Sequence, residues 1–134
     1  MSAFKLKVID NIICSELTGA LDTTLANQWI NKLEEAESGP ATITRRFHDV
    51  RNVNAVNVDF DSLWSLAQRR INTLQNGNVT LTAFWVSTPL NYGVSRMYQS
   101  LTDGSSFKIG IFYKLDEIAD YLDVNIKFLE NITY

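Results

Sequence analysis

The stretch VTLTAFWVSTPLNYGVSRMYQSL, residues 79–101, indicates a buried strand that turns directly into a helix. Apolar residues occupy both faces of the strand toward its end, which is typical of a strand covered on two sides. Ser87 and Thr88 suit a helix cap, and Pro89 suits the first helical position. Because ligand crevices commonly open where such strands end, the stretch is also the first place to expect a site.

A hairpin and a helix are predicted at the start of the chain. Phe4–Ile9 and Ile12–Leu17 predict two strands joined by a short Asp-Asn turn, ending at Thr18 and Gly19. Apolar residues spaced four apart then predict a helix that begins at Asp22 or Thr23 and ends near residue 37.

The middle of the chain predicts a strand, a loop and a second helix. Residues 41–50 predict a strand that becomes polar at its end, and the asparagine-rich residues 51–58 predict a loop. A helix should begin at Asp59, with an inward stripe of Phe60, Leu63, Trp64, Ala67, Ile71 and Leu74. Residues 75–78 should end it through a left-handed Asn76 or Gly77.

Downstream of residue 101, residues 107–113 predict a fifth strand and residues 116–122 a short helix. Gly110 marks a bulge or a close approach, and residues 124–134 predict another helix or an edge strand. Helices between successive strands imply parallel pairing with right-handed crossovers. We therefore expect an α/β fold in a single domain over residues 1–134, with one mixed five-stranded sheet (an N-terminal hairpin plus parallel strands) covered by four or five helices.

Composition excludes several function classes. The chain has 134 residues, of which 46% are hydrophobic and 20% charged, as in ordinary globular proteins. A net charge of −3 does not favour nucleic-acid binding, which needs a basic face. No apolar run approaches the ~20 residues of a spanning helix, and no secretion signal is visible. Cys14, the single cysteine, should be buried and inert. These features favour the cytoplasm.

No reaction motif is present. His48 is the only histidine, so a Ser-His-Asp relay would have to use it. His48 and Asp49 point to opposite faces of one strand and do not form a ready pair. One histidine and one cysteine do not make a metal site, and no cofactor is expected. We predict a non-enzyme in which His48, near a polar strand end, contacts a ligand.

The chain resembles small bacterial STAS/SEC14-like proteins in three respects. These are the order of elements, the segment Tyr92-Gly93-Val94-Ser95-Arg96-Met97, and the closing residues 112–122, FYKLDEIADYL. This group includes the SpoIIAA-like anti-sigma-factor antagonists, and the resemblance implies a compact α/β sandwich. In the antagonist branch, phosphorylation of a serine before the second helix switches binding to a kinase-like anti-sigma factor. Ser62 is the corresponding candidate here, but the Ser-Ser-Gly turn is missing and two nearby aspartates oppose a phosphate.

The SEC14 branch of the resemblance holds lipids or other apolar molecules, and the aromatic residues of this chain favour that branch. We expect a non-enzymatic module that binds a small apolar or amphipathic, lipid-like ligand. Its pocket residues would be Phe60, Trp64, Trp85 and Met97, with Tyr92, Arg96 and His48 supplying polar groups. Core packing of the tryptophans and a salt bridge of Arg96 are the alternatives for those residues. An antagonist-like protein-interaction module is the alternative function; a homodimer and a peripheral contact with the inner membrane face remain open.

Overall fold

The computed structural model describes residues 2–40, 42–74 and 79–134. Its strands are β1 (Ala3–Ile9), β2 (Ile12–Asp22), β3 (Arg45–Asn57), β4 (Thr80–Trp85) and β5 (Phe107–Phe112). Its helices are α1 (Thr23–Glu37), α2 (Phe60–Thr73), α3 (Pro89–Leu101), α4 (Leu115–Leu122) and α5 (Ile126–Glu130). The predicted order of elements is confirmed, and the tail forms a helix. The predicted left-handed end of α2 lies outside the described residues.

The five strands form one sheet in the order β1-β2-β3-β4-β5. β1 pairs antiparallel with β2, and the other neighbours pair parallel. Asp10 and Asn11 connect the hairpin with φ of 51° and 62°, a left-handed conformation that these two residue types tolerate. The mixed sheet with an N-terminal hairpin is therefore confirmed.

The helices divide between the two faces of the sheet. α1, α2 and α3 cover one face with the larger apolar core, and α4 and α5 cover the other with a smaller one. Because side chains alternate along a strand, Phe47 and Ala83 pack beneath α4 while their neighbours His48 and Phe84 lie beneath α1–α3. Gly110 provides the expected close approach, since an added Cβ would lie 2.6 Å from the ring of Phe112.

β2 and β3 are longer than the sequence predicts. β2 continues through Gly19 to Asp22, and β3 replaces the predicted loop as far as Asn57. The two strands pair along this extra length. Their backbone hydrogen bonds are therefore made within the sheet, although the polar side chains have the composition of a loop. Gly19, with φ of 84°, lies at a shift in register. His48 consequently lies within a strand and not near its end.

The inward face of α2 differs from the predicted stripe. Its buried residues are Leu63, Leu66, Ala67 and Arg70, while Phe60 and Trp64 are about half exposed. The ion pair of Arg70 with Glu37 accounts for this rotation, because it turns the arginine toward α1 and the core. The inward placement predicted for Phe60 and Trp64 is wrong.

The start of α3 is fixed by Asn91. Its side chain accepts hydrogen bonds from the amides of Ser87 (2.9 Å) and Thr88 (3.1 Å) and donates to the carbonyls of Arg51 (3.1 Å) and Val53 (3.4 Å). The cap at Thr88 and the proline in the first turn are confirmed. With Asn91 held inward, the helix period leaves Met97 exposed, against the prediction.

Candidate functional site

The structure does not gather the predicted ligand-binding residues into one pocket. Phe60, Trp64 and Met97 lie on the outer sides of α2 and α3. Tyr92 and Arg96 lie on another flank of α3. Trp85 lies on the opposite face of the sheet, and His48 lies in the core. These seven residues therefore do not form one lipid-sized pocket.

His48 belongs to a buried polar cluster. Its Nδ1 lies 2.6 Å from the Ser15 hydroxyl, which accepts a hydrogen bond from Trp29 Nε1 at 3.1 Å. The tautomer of the ring sets the direction of the hydrogen bond between Ser15 and Nδ1. Burial, reinforced by the positive charges of Arg46 and Arg70, holds the pKa of His48 well below its usual value. Ser15 and His48 resemble a nucleophile and its base, but both are buried.

Trp85 lines a cleft of about 390 Å³ on the α4 and α5 face. The guanidinium of Arg51 lies 3.3 Å from the centroid of the Trp85 ring. Arg51 also donates to both carboxylate oxygens of Asp49, each at 3.0 Å. Glu16 is the cross-strand neighbour of Asp49, and Tyr134 closes one side. Both the aromatic face of Trp85 and the carboxylate of Asp49 are thus occupied within the chain.

Tyr92 and Arg96 also have partners of their own. The ring of Tyr92 stacks on Tyr113, with centroids 5.7 Å apart and an interplanar angle of 15°. Arg96 Nη1 donates to Gln99 Oε1 at 2.8 Å and to Ser100 Oγ at 3.1 Å. The salt bridge considered for Arg96 is not formed with any carboxylate of the described residues. Neither side chain faces a pocket shared with Trp64.

One flank of α2 packs against α1. Arg69 Nε donates to Glu34 at 3.1 Å, and the Thr73 hydroxyl donates to the same carboxylate at 2.9 Å. The helical period places Phe60, Trp64 and Ile71 on the opposite flank. This apolar flank therefore faces α3.

The facing wall comes from α3. Gln99 Nε2 donates to the carbonyl of Ile109 at 2.7 Å, which fixes one flank of α3 beside β5. The period places Leu90, Val94 and Met97 on the other flank, toward α2. We call the surface between the two helices the α2/α3 groove. The helical period places six apolar residues along it: Phe60, Trp64, Ile71, Leu90, Val94 and Met97.

An apolar cavity of about 50 Å³ lies beneath the α2/α3 groove. Trp29 and Phe84 line its floor, and Leu63, Val94 and Tyr98 line the side formed by the helices. Pockets for small molecules usually measure about 300–1,000 Å³. The core on this face is therefore largely filled.

Ser62 lies in the first turn of α2, on the side near Thr23 and Asn27 of α1. Its amide donates to Asp59 Oδ1 at 2.7 Å, and this hydrogen bond lowers the pKa of the Asp59 carboxyl. Asp61 is the next residue. A phosphate on Ser62 would therefore meet a carboxylate that already binds the same residue.

Residues 2–40, 42–74 and 79–134 lack two features that some other function classes require. No helix there is long and apolar enough to cross a bilayer. No group of three or more histidine, cysteine, aspartate or glutamate side chains there could hold a metal ion. The predicted burial of Cys14 is confirmed, and burial raises the pKa of its thiol to about 12, against the opposing effect of Lys7.

The sequence patterns missed a cluster of buried charges near the start of β3. Arg46 and Arg70 are buried and share the carboxylate of Glu37, each with a nitrogen 2.6 Å from Oε2. Arginine is assigned to the surface by default. One available indication was that Arg70 is three residues after Ala67 and four before Leu74, on the inward stripe of α2.

No family model and no curated protein matches the chain. Among solved structures, the chain is similar to an uncharacterised protein of the DUF3478 family from Shewanella loihica PV-4, which has a SpoIIAA-like fold. The TM-score is 0.57 at 16% sequence identity, over 90% of this chain and 93% of that chain. At this identity the similarity establishes the fold alone. The fold of this chain is SpoIIAA-like, as the sequence resemblance implied.

Proposed function

We propose that this SpoIIAA-like domain is a non-enzymatic protein-interaction module whose α2/α3 groove binds a partner protein. The observation that carries the proposal is the exposure of four large apolar side chains along the groove. Phe60 is 57% exposed, Trp64 49%, Met97 46% and Leu90 44%. Scattered apolar residues are normal on a surface, but a cluster on two adjacent helices is typical of an interaction site.

The residue types in the groove suit protein recognition. Tryptophan is enriched among the few residues that contribute most of the energy of an interface. Methionine adapts its shape to different partners. Trp64 and Met97 lie on facing walls, so one inserted side chain or helix could contact both.

Charge at the groove favours a protein over an anionic membrane. Asp59 and Asp61 lie at the start of α2, next to Phe60. Membrane-binding surfaces usually surround their apolar residues with lysine and arginine. The two aspartates favour a partner that carries basic residues beside its apolar ones.

A small apolar ligand is the second candidate function. The apolar lining of the cavity beneath the groove supports it. At about 50 Å³, however, this cavity accommodates far less than a lipid chain. The exposed groove therefore supports a protein partner better than a lipid.

The non-enzymatic part of the proposal rests on Ser15 and His48. They are the serine and histidine in hydrogen-bond contact, and both are buried. The similar solved structure indicates no enzymatic family.

Site-specific photocross-linking tests the proposed groove. Benzoylphenylalanine would replace Trp64 or Met97 in the chain expressed in its native cells, with Lys32, exposed on α1, as the matched control position. The same protein should be cross-linked from positions 64 and 97 and not from position 32. Equal cross-linking from all three positions would contradict the proposal. An adduct of twice the chain mass would identify the partner as a second copy.

Purified partner then gives the binding energy. Trp64→Ala should weaken binding by about 2 kcal/mol, or roughly 30-fold. Because about half of Trp64 is buried, the same change should also lower the free energy of unfolding, by about 1–2 kcal/mol. Native mass spectrometry of the purified chain provides the competing measurement: a co-purified apolar molecule, together with unchanged partner binding in Trp64→Ala, would favour the second candidate.

A further inference from the structure

The cleft of about 390 Å³ on the α4 and α5 face has the size of a small-molecule site. Its floor includes one row of the sheet, because Asp49 of β3 pairs with Glu16 of β2 on one side and with Trp85 of β4 on the other. α5 contributes Leu129 and Glu130 to the wall. Every residue that lines the cleft belongs to the described part of the chain.

The charged side chains that line this cleft are mostly negative. Glu16, Asp49 and Glu130 supply three carboxylates, and Arg51 supplies one guanidinium. Arg51 donates to both carboxylate oxygens of Asp49 and lies over the ring of Trp85, so its charge is already compensated. The lining therefore carries two negative charges in excess, those of Glu16 and Glu130.

The two excess carboxylates are accessible and make no ion pair. Glu130 is exposed, and Glu16 is partly exposed. Neither forms an ion pair with another residue of the described ranges. Lys5 is the neighbour of Glu16 on β1, but it does not pair with it in the structure. Both carboxylates thus remain able to bind a cation.

Tyr134, which closes one side of the cleft, responds to this negative charge. Its hydroxyl donates to the carbonyl of Ser15 at 3.2 Å. Burial, and then the charges of Cys14, Asp49 and Glu16, raise the pKa of Tyr134. The environment of the phenol therefore disfavours a further negative charge, and the same environment favours a positive one.

Apolar side chains complete the lining and narrow the class of cation. They are Phe47, Leu115, Leu129 and Ile132, together with the ring of Trp85. A bare metal ion gains nothing from such surface, and the described residues hold no group of three or more side chains that could ligate one. An organic cation uses both the carboxylates and the apolar surface.

We propose that this cleft binds a small organic ammonium ion with an apolar part, held by the carboxylates of Glu16 and Glu130. The ammonium group would form charge-assisted hydrogen bonds with the two carboxylates. Its apolar part would lie against Leu129 and Ile132. The cleft lies on the opposite face of the sheet from the α2/α3 groove, so the site is independent of the proposed function.

Titration with phenethylammonium chloride, at an ionic strength held constant with sodium chloride, tests the site by ¹H–¹⁵N NMR. The indole N–H groups of the three tryptophans are the reporters. Trp85 Nε1 donates to the carbonyl of Tyr113, and its signal should show a saturable shift. The indole signals of Trp29 on α1 and Trp64 on α2 should not move. A shift of Trp64 with Trp85 unchanged would locate the compound in the α2/α3 groove and overturn the assignment.

Two matched compounds test the need for positive charge. 2-Phenylethanol and phenylacetate keep the aromatic ring but carry a neutral or a negative group in place of the ammonium. Each should bind about tenfold or more weakly than phenethylammonium. Equal or tighter binding of either compound, or shifts that follow ionic strength alone, would contradict a cation site.

Substitutions of the two carboxylates test their role. Glu16→Gln keeps the shape of the side chain, removes its charge and should weaken phenethylammonium binding about tenfold or more. Glu35→Gln removes the same charge from an exposed position on α1 and should bind as the unmodified chain does. Glu130→Gln, at an exposed position of α5, should also weaken binding and keeps the proposal testable if Glu16→Gln does not fold. Full binding by either cleft variant would overturn the assignment.

Discussion

The free energy of unfolding of this protein should decrease as the pH is lowered from 7.5 to 5, because one histidine is buried. His48 is the only histidine in the chain. Burial, and then the charges of Arg46 and Arg70, hold its pKa well below 6.5, so the folded chain keeps the ring neutral. The unfolded chain binds a proton as the pH drops through about 6.5. Stability is therefore fully present above that pH and is lost progressively below it.

The magnitude follows from proton linkage. Each pH unit well below the unfolded pKa removes about 1.4 kcal/mol, so the whole interval from about pH 7.5 to 5 removes about 2 kcal/mol. A typical domain has a total stability of about 5–15 kcal/mol, so the loss is measurable. Urea unfolding at four pH values across this interval gives the free energies. Most carboxylates titrate below pH 5, so the histidine contributes most of the change over this interval.

His48→Gln is the control, because its amide has no charge to titrate and can still bind the Ser15 hydroxyl. The variant should be less stable than the unmodified chain at pH 7.5, and its unfolding free energy should change about 2 kcal/mol less on going to pH 5. The ring protons of His48 should show no titration in the folded chain over the same interval. Parallel pH profiles for the two proteins, or a folded-state pKa near 6.5, would refute the reasoning.

Three further substitutions test features of the fold by urea unfolding. Glu37→Gln should lower the free energy of unfolding by about 3–5 kcal/mol, because it leaves two buried guanidiniums without their carboxylate. Glu35→Gln, at an exposed pair, is the control and should change it by about 0.5 kcal/mol or less. Equal effects of the two substitutions would contradict the shared buried pair. Gly93→Ala should stabilise the protein by about 0.5–1 kcal/mol, since an added Cβ meets no atom within 4 Å. Gly110→Ala should destabilise it, because its Cβ would lie 2.6 Å from an aromatic ring. A destabilised Gly93→Ala would contradict the free space around the Cβ position of residue 93. Asn91→Ala should cost about 3 kcal/mol, since four hydrogen bonds depend on its side chain, and a loss below about 1 kcal/mol would contradict this role.

Local chemistry was sufficient to predict where most elements begin. Asp22, Asp59 and Thr88 cap their helices as expected, because each cap involves residues only three apart. The extension of β3 through residues 51–57 was missed because it depends on pairing with β2, more than thirty residues earlier. A run of asparagines has the composition of a loop until a neighbouring strand satisfies its backbone.

The candidate site was predicted in part. Phe60, Trp64 and Met97 were selected as binding residues, but as the lining of an internal pocket. The rotation of α2 depends on Arg70 and Glu37, which are 33 residues apart, and hydrophobic periodicity does not detect such an ion pair. A helix flank that borders the apolar stripe therefore could not be assigned to the core or to the surface from spacing alone.

The strand order has a consequence for synthesis of the chain. Each strand pairs with the one that precedes it, so the sheet can extend one strand at a time as the chain leaves the ribosome. α1, α2 and α3 emerge between strands, but α4 and α5 follow β5. The apolar face that contains Phe47 and Ala83 thus stays open until residues 115–130 have emerged. During that interval the nearly complete sheet is a surface to which other nascent chains can adhere, and the last two helices end that exposure.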